Sequence, residues 1–197
     1  MFRIICILIG YILGTLPTAF LLGKKQGIDI REYGSGNSGA TNALRVMGKK
    51  AGAFVFVIDM LKAAAAFWIS GYFFGEYSTA AAVYGGLGAI IGHCFPFYLK
   101  FKGGKGVACF VALILSIDPV MGATIIALGL SVLIFTRYVS LTSLTINALT
   151  PPFLFLYGFS TEIIITGAAG AMLCFIMHRG NIQRLLAGTE SRLGQKS

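Results

Sequence analysis

At 197 residues, 56% hydrophobic and 12% charged, with a mean hydropathy of +0.82, the chain is too apolar for an ordinary soluble domain. The formal charge of +9 would suit a nucleic-acid binder, but the cations collect in short connections between apolar stretches, as the positive-inside rule expects. No nucleic-acid partner is therefore implied. Cys6, Cys94, Cys109 and Cys174 stand singly in apolar surroundings, so neither a disulfide framework nor a zinc site is indicated. Nowhere do acids cluster as a divalent metal needs, and no metal or other cofactor is expected.

The pattern predicts an all-α, polytopic integral membrane protein forming one transmembrane domain over residues 1–197. Arg3 before an apolar run resembles a signal peptide, but Thr18-Ala19-Phe20 makes a poor cleavage site, so residues 2–23 read as a retained first helix. Further spans follow at 51–75, 79–99, 107–117, 120–136, 140–158 and 163–178. Stretch 107–117 is short for ~30 Å of hydrocarbon and could be re-entrant with the segment beyond Asp118-Pro119. Lys24, Lys25, Arg31, Arg45, Lys49, Lys50, Lys100, Lys102, Lys105, Arg137, Arg179, Arg184, Arg192 and Lys196 fall in alternate connections, whereas Glu76, Asp118 and Glu162 occupy the others. Seven spans with the N-terminus outside and the C-terminus cytoplasmic follow. A re-entrant pair would give five spans with the same sidedness; six would put His178 on the opposite face from Ser35.

Three connections carry chemistry. The segment Gly34-Ser35-Gly36-Asn37-Ser38-Gly39-Ala40-Thr41-Asn42 combines glycines, which let successive N–H groups share a concavity, with hydroxyl and amide donors. It suits a phosphate or another oxyanion; a flexible surface loop is the plain alternative. Its G-x-G-x-x-G spacing is not a dinucleotide fingerprint, because the flanks are membrane helices rather than a βαβ unit. Helices starting near Ala51, Val107 and Ser140 should present their N-termini to anions at the same surface.

Lys100-Phe101-Lys102-Gly103-Gly104-Lys105-Gly106 sets three lysines among glycines before a helix, which equally describes a solvated basic turn. In residues 178–190, His178 can accept a proton near neutral pH, Asn181 can orient a hydroxyl and Arg184 can hold an anion. An interfacial helix with anchoring arginines would look similar. Asp59 and Lys62 share one helical face, where they can pair structurally. His93 reads as a packed or hydrogen-bonded histidine.

Residues 34–45, 102–108 and 178–190 together resemble the motifs of the bacterial acyl-phosphate-dependent glycerol-3-phosphate acyltransferase family, PlsY: GSGN-x-GATN-x-x-R, KGGKG-V-A and HR-x-N-I-x-R-L-x-x-G-x-E. Ser38 and Cys109 depart from it, where an aliphatic residue and a threonine are common. The resemblance implies transfer of an acyl group from acyl phosphate to the 1-hydroxyl of glycerol 3-phosphate, giving lysophosphatidic acid and phosphate. It also implies a bacterial inner-membrane location, contact with membrane lipid, and active-site loops on the cytoplasmic face. Neither histidine begins an H-x-x-x-x-D motif, the mark of thioester-using acyltransferases.

By the same resemblance Ser35, Arg45, Lys105, His178 and Asn181 are catalytic, and Gly36, Asn37, Gly39, Thr41, Asn42, Gly103, Gly104 and Arg184 bind substrate. Ser35, Gly36, Asn37, Thr41 and Asn42 would cradle the acyl phosphate, Arg45 and Lys105 would meet negative charge, and His178 and Asn181 would orient the glycerol hydroxyl. The proton goes either to His178 or to a substrate phosphate oxygen. A transporter or flippase for a small phosphate ester is the alternative from another class, although no inverted repeat supports it.

Overall fold

Proline decides the first feature. Pro17 lacks an N–H and restrains Leu16, so the first apolar stretch, expected as one helix, divides into α1 (Phe2–Gly14) and α2 (Thr18–Lys25). The carbonyls freed at the break are bonded from other helices, because hydrocarbon offers no donor. Lys62 Nζ lies 2.7 Å from the Leu16 oxygen, and the Tyr98 hydroxyl donates to the Thr15 oxygen.

The computed structural model describes residues 1–194 and contains helices and turns, with no strand among the described residues. Beyond α2 come α3 (Ala40–Met47), α4 (Lys49–Phe73), α5 (Ser78–Cys94), α6 (Val107–Ile117), α7 (Pro119–Thr136), α8 (Val139–Leu156), α9 (Thr161–Met177) and α10 (Arg179–Leu186). Five segments are long and apolar enough to cross a bilayer: Phe2–Lys25, Lys49–Phe73, Thr79–Leu99, Pro119–Thr136 and Val139–Leu156. A sixth arises if α9 and α10, bent by 60°, count as one span. With 11 residues, α6 reaches about 16 Å as a helix.

The chain falls into two compact units, Met1–Leu113 and the residues from Ile114 on. In the first, α5 packs between α1 and α4 at backbone contact. A Cβ on Gly10 would sit 1.9 Å from the Gly85 oxygen, and one on Gly88 would sit 2.2 Å from the Ile7 oxygen. On the α4 side, a Cβ on Gly85 would meet the Ala66 oxygen at 2.4 Å. Lipid is as apolar as leucine, so membrane helices associate largely through such close small-residue packing. A smaller core of Ala19, Ile30, Ala43 and Val55 ties α2, α3 and α4 together, and between α2 and α3 runs the glycine-rich loop.

Helix α3 was not expected. Gly48, at φ +88°, ends α3 and starts α4, so the helix following the glycine loop is α3 rather than one starting near Ala51. In the second unit α8 packs against both α7 and α9. Asp118 caps α7 by accepting from the Met121 N–H at 2.7 Å, with Pro119 in its first turn. The buried Ser140, Ser143, Asn147 and Thr150 form one stripe of α8. Ser143 and Thr150 donate back to carbonyls one turn earlier.

Replacing Gly88 with Val should destabilise the protein by about 1–3 kcal/mol through overpacking. Gly75→Ala, where a Cβ meets nothing within 4 Å, should be close to neutral. Thermal unfolding in detergent checks both.

Candidate active site

The loop over residues 34–39 is built around Asn42. Its side chain is 1% exposed; its Oδ1 accepts from the Ser35 N–H at 2.9 Å, and its Nδ2 donates to the oxygens of Ile30 at 3.1 Å and Tyr33 at 3.0 Å. Gly34, at φ +59°, is forced twice, since a Cβ there would also lie 2.4 Å from Asn42 Oδ1. Both amide donors of Asn42 are thus engaged, which leaves none for a phosphate. The N–H groups of Ser35 and Gly36 are also taken, the latter by the Tyr33 oxygen at 3.0 Å. The expected cradle of loop N–H groups loses these three contributions because the loop closes on itself.

What the loop presents is different. Ser35 and Arg45 are exposed, Gly36 is exposed at the tip, and Asn37, Gly39 and Thr41 are half-buried. Gly39 begins α3 without a side-chain cap, and a helix start leaves its first N–H groups without intrahelical acceptors. The anion-attracting end is therefore that of α3. Upstream, the Arg31 guanidinium meets the Asp29 carboxylate at 3.0 and 2.7 Å. These bonds hold the Asp29 carboxyl down at about 2.

The basic turn lies on α5. The N–H groups of Gly103 and Gly104 donate to the oxygens of Cys94 and His93, each at 3.0 Å. Lys105 follows, half-buried, and α6 begins two residues later. Below the turn Lys62, Asp59 and His93 form a buried polar cluster: Lys62 Nζ is 2.7 Å from Asp59 Oδ1 and 2.9 Å from His93 Nδ1. The i,i+3 pairing and the packed histidine were both legible in the sequence. Their meeting was not, nor was the Thr18 hydroxyl that donates to Asp59 Oδ1 at 3.0 Å.

In the second unit His178 closes α9 and opens α10, 3% exposed. Its Nδ1 lies 2.7 Å from the Cys174 oxygen. A carbonyl oxygen only accepts, so Nδ1 carries the proton and Nε2 is the basic nitrogen of the neutral ring. Glu190 gathers the rest. Its Oε1 accepts from Asn181 Nδ2 at 2.6 Å and from the Ser140 hydroxyl at 2.7 Å, and its Oε2 accepts from Arg184 Nε at 2.7 Å. Burial alone would raise the Glu190 pKa, but the bonds from Ser140, Asn181 and Arg184 hold it below its ordinary 4.5. Sequence reasoning recorded Glu190 as a motif position and missed its role as the hub on which Asn181 and Arg184 are hung.

A family model described as glycerol-3-phosphate acyltransferase matches residues 4–188. The chain belongs to the glycerol-3-phosphate acyltransferase family. It is 42% identical to a glycerol-3-phosphate acyltransferase of Thermoanaerobacter pseudethanolicus, over all of this chain and 98% of that one. A Rhizobium etli glycerol-3-phosphate acyltransferase is 42% identical over 95% of this chain and 90% of its own. Among solved structures, the crystal structure of PlsY (YgiH), an integral membrane glycerol 3-phosphate acyltransferase, in its glycerol 3-phosphate form superposes with a TM-score of 0.91. It is 33% identical, covering 98% of this chain and 96% of that one. The lysophosphatidic acid form of that protein gives 0.88 at 32% identity, covering 98% and 95%. The protein is thus a multi-pass membrane acyltransferase of phospholipid synthesis, and the transporter alternative lapses.

Asn42→Ala strips partners from the Ser35 N–H and two carbonyls, and should cost about 1–3 kcal/mol of stability along with activity. Asn42→Asp, which sets an anion against the same two carbonyls, should not rescue it; unfolding and turnover measurements check both. Glu190 gives an acid-labile element. Its folded pKa lies below the unfolded one, so its contribution is complete above 4.5 and fades as pH falls through the depressed value. Hydrogen-exchange protection over residues 178–194, corrected for the intrinsic rate at each pH, should fall on acidification in the wild type and start low, with little further change, in Glu190→Gln.

Proposed function

We propose that this acyltransferase uses acyl phosphate as donor and acylates the 1-hydroxyl of glycerol 3-phosphate. The hydroxyl oxygen bonds to the acyl carbon, the carbon–oxygen bond to phosphate breaks, and the products are lysophosphatidic acid and inorganic phosphate. The observation that carries this reading is the donor array of the first loop, where exposed Ser35 and Arg45 flank the uncapped start of α3. PlsY, its relative at 33% identity, is described in glycerol 3-phosphate and lysophosphatidic acid forms, the acceptor and product of this reaction.

In this reading the Ser35 hydroxyl, Gly36, Asn37, Gly39 and Thr41 form the phosphate-facing rim, with Asn42 holding its shape. Arg45 and Lys105 meet the charge that develops on the acyl and phosphate oxygens. Gly103 and Gly104 carry the turn that bears Lys105. His178, Asn181 and Arg184 serve the acceptor, with Nε2 of His178 as the nitrogen able to take the hydroxyl proton. Phosphate is a good leaving group, so a substrate phosphate oxygen is the competing proton acceptor. Side-chain cations supply the charge stabilisation, and EDTA should leave turnover intact.

The same reading gives seven spans in a bacterial inner membrane, with α6 completing its crossing through its flanks, the N-terminus outside and the three motif loops cytoplasmic. Ser35, Lys105 and His178, each replaced by Cys, should resist an impermeant thiol reagent in intact cells. Labelling of any one from outside would overturn the arrangement.

Purified protein incubated with acyl phosphate and labelled glycerol 3-phosphate should form lysophosphatidic acid, whereas acyl-CoA alone should not support the reaction. Lys105→Ala and Arg45→Ala should each lose about 1.5–3 kcal/mol of transition-state stabilisation, roughly 10- to 150-fold in rate. His178→Ala separates the proton routes: a general base should cost about 100- to 10,000-fold, whereas a hydroxyl-orienting role should be largely restored by His178→Gln.

A further inference from the structure

The polar cluster under the basic turn is an expensive thing to keep. Taking Asp59 and Lys62 out of water costs several kcal/mol per ion before their attraction repays it, and apolar residues of similar size often serve stability as well. Asp59 is 1% exposed and Lys62 6%, both on α4. The geometry around Lys62 is saturated. An ammonium has three donors, and three acceptors stand at hydrogen-bond distance: the Leu16 oxygen at 2.7 Å, Asp59 Oδ1 at 2.7 Å and His93 Nδ1 at 2.9 Å.

That saturation has a directional result. A ring nitrogen that accepts from Lys62 leaves the ring proton on Nε2, and the imidazole is gripped from its Nδ1 side. Its opposite edge supports the basic turn. A Cβ on Gly104 would lie 2.0 Å from His93 Nε2 and 2.8 Å from Cε1, and one on Gly103 would lie 2.1 Å from the His93 oxygen. The Gly104 N–H donates to that same oxygen at 3.0 Å. His93 therefore holds Gly104 through both its backbone and its ring, and the next residue is Lys105.

We propose that His93, clamped by Lys62 and Asp59, is a positioning residue for Lys105: it sets the height and direction of the turn from which the lysine reaches phosphate. This rests on the role given to Lys105 above. The Gly103-Gly104 pair acquires a reason independent of phosphate binding, since only glycine lets the turn lie this close to the ring. The Cys109 thiol, donating to the Asp59 backbone oxygen at 3.3 Å, ties the first turns of α6 to the same cluster.

The test is a double-mutant cycle on kcat/KM. His93→Asn keeps a side-chain acceptor for Lys62 but removes the ring edge beneath Gly104. It should lower kcat/KM about 10- to 100-fold, the scale of a misplaced catalytic group, and by less than about 2-fold when Lys105 is already Ala. A residue that only stabilised the fold would give equal losses in both backgrounds, and that result, or full activity in His93→Asn, overturns the proposal. Should His93→Asn fail to purify as a monodisperse protein, Gly104→Ala, which keeps every side chain of the cluster and drives a methyl group between the turn and the ring, enters the same cycle with the same expectation. Undiminished activity in Lys105→Ala would defeat the role of Lys105 itself, and the positioning role with it. An impaired Lys105→Ala with equal losses from the second substitution defeats the positioning role alone.

Discussion

A polar group removed from water must find its partner within the protein, and the rest of this structure follows from how that requirement is met. Three side chains answer it: the Asn42 amide, the Lys62 ammonium and the Glu190 carboxylate. Each makes three hydrogen bonds to groups from separate parts of the chain. Each also lies in or under one of the three motif segments. Their common effect is to fix the backbone and side chains around them.

The two units solve the problem of packing in lipid differently. In the first, glycines bring α5 to backbone contact with α1 and α4, leaving no room between the helices and making the carbonyls themselves part of the interface. In the second, Thr142, Ser143, Thr145 and Thr150 of α8 bond back to carbonyls one turn earlier, which satisfies those hydroxyls without a partner helix. Pro151 and Pro152 lie inside this helix, a tolerance that membrane helices extend to proline when neighbours re-satisfy the backbone.

What the sequence disclosed follows from where each signal resides. Apolar spans and basic connections are properties of composition along the chain, so six of the seven expected spans correspond to long apolar helices or a bent pair, and the stretch 107–117 is the short one. The Pro17 break was available locally and was read through. Helix α3 was hidden because its eight residues sit inside a motif whose glycines suggested an open loop. Asn42 was assigned to the ligand through the family resemblance, and only the fold shows that its amide turns inward. Glu190 and His93 were beyond reach, since their partners lie up to fifty residues away in sequence. The two departures from the family pattern were easier to place in hindsight. Ser38 and Cys109 are both buried, and the Cys109 thiol makes the kind of bond a threonine hydroxyl would.

The glycine contact between α1 and α5 also bears on how the molecule is made. Helix α1 ends at Gly14, and α5, the helix its glycines meet most closely, does not begin until Ser78, so during synthesis, which proceeds from the N-terminus, α1 is made well before that partner exists. For that interval its α5-facing glycines meet only acyl chains, and of the carbonyls at the Pro17 break that of Leu16 gains Lys62 when α4 is made while that of Thr15 still waits for Tyr98. Assembly of this protein therefore runs in an order in which α1 stands first in lipid, then gains α4 with Lys62, and takes its final seat when α5 arrives to displace the lipid from its glycines.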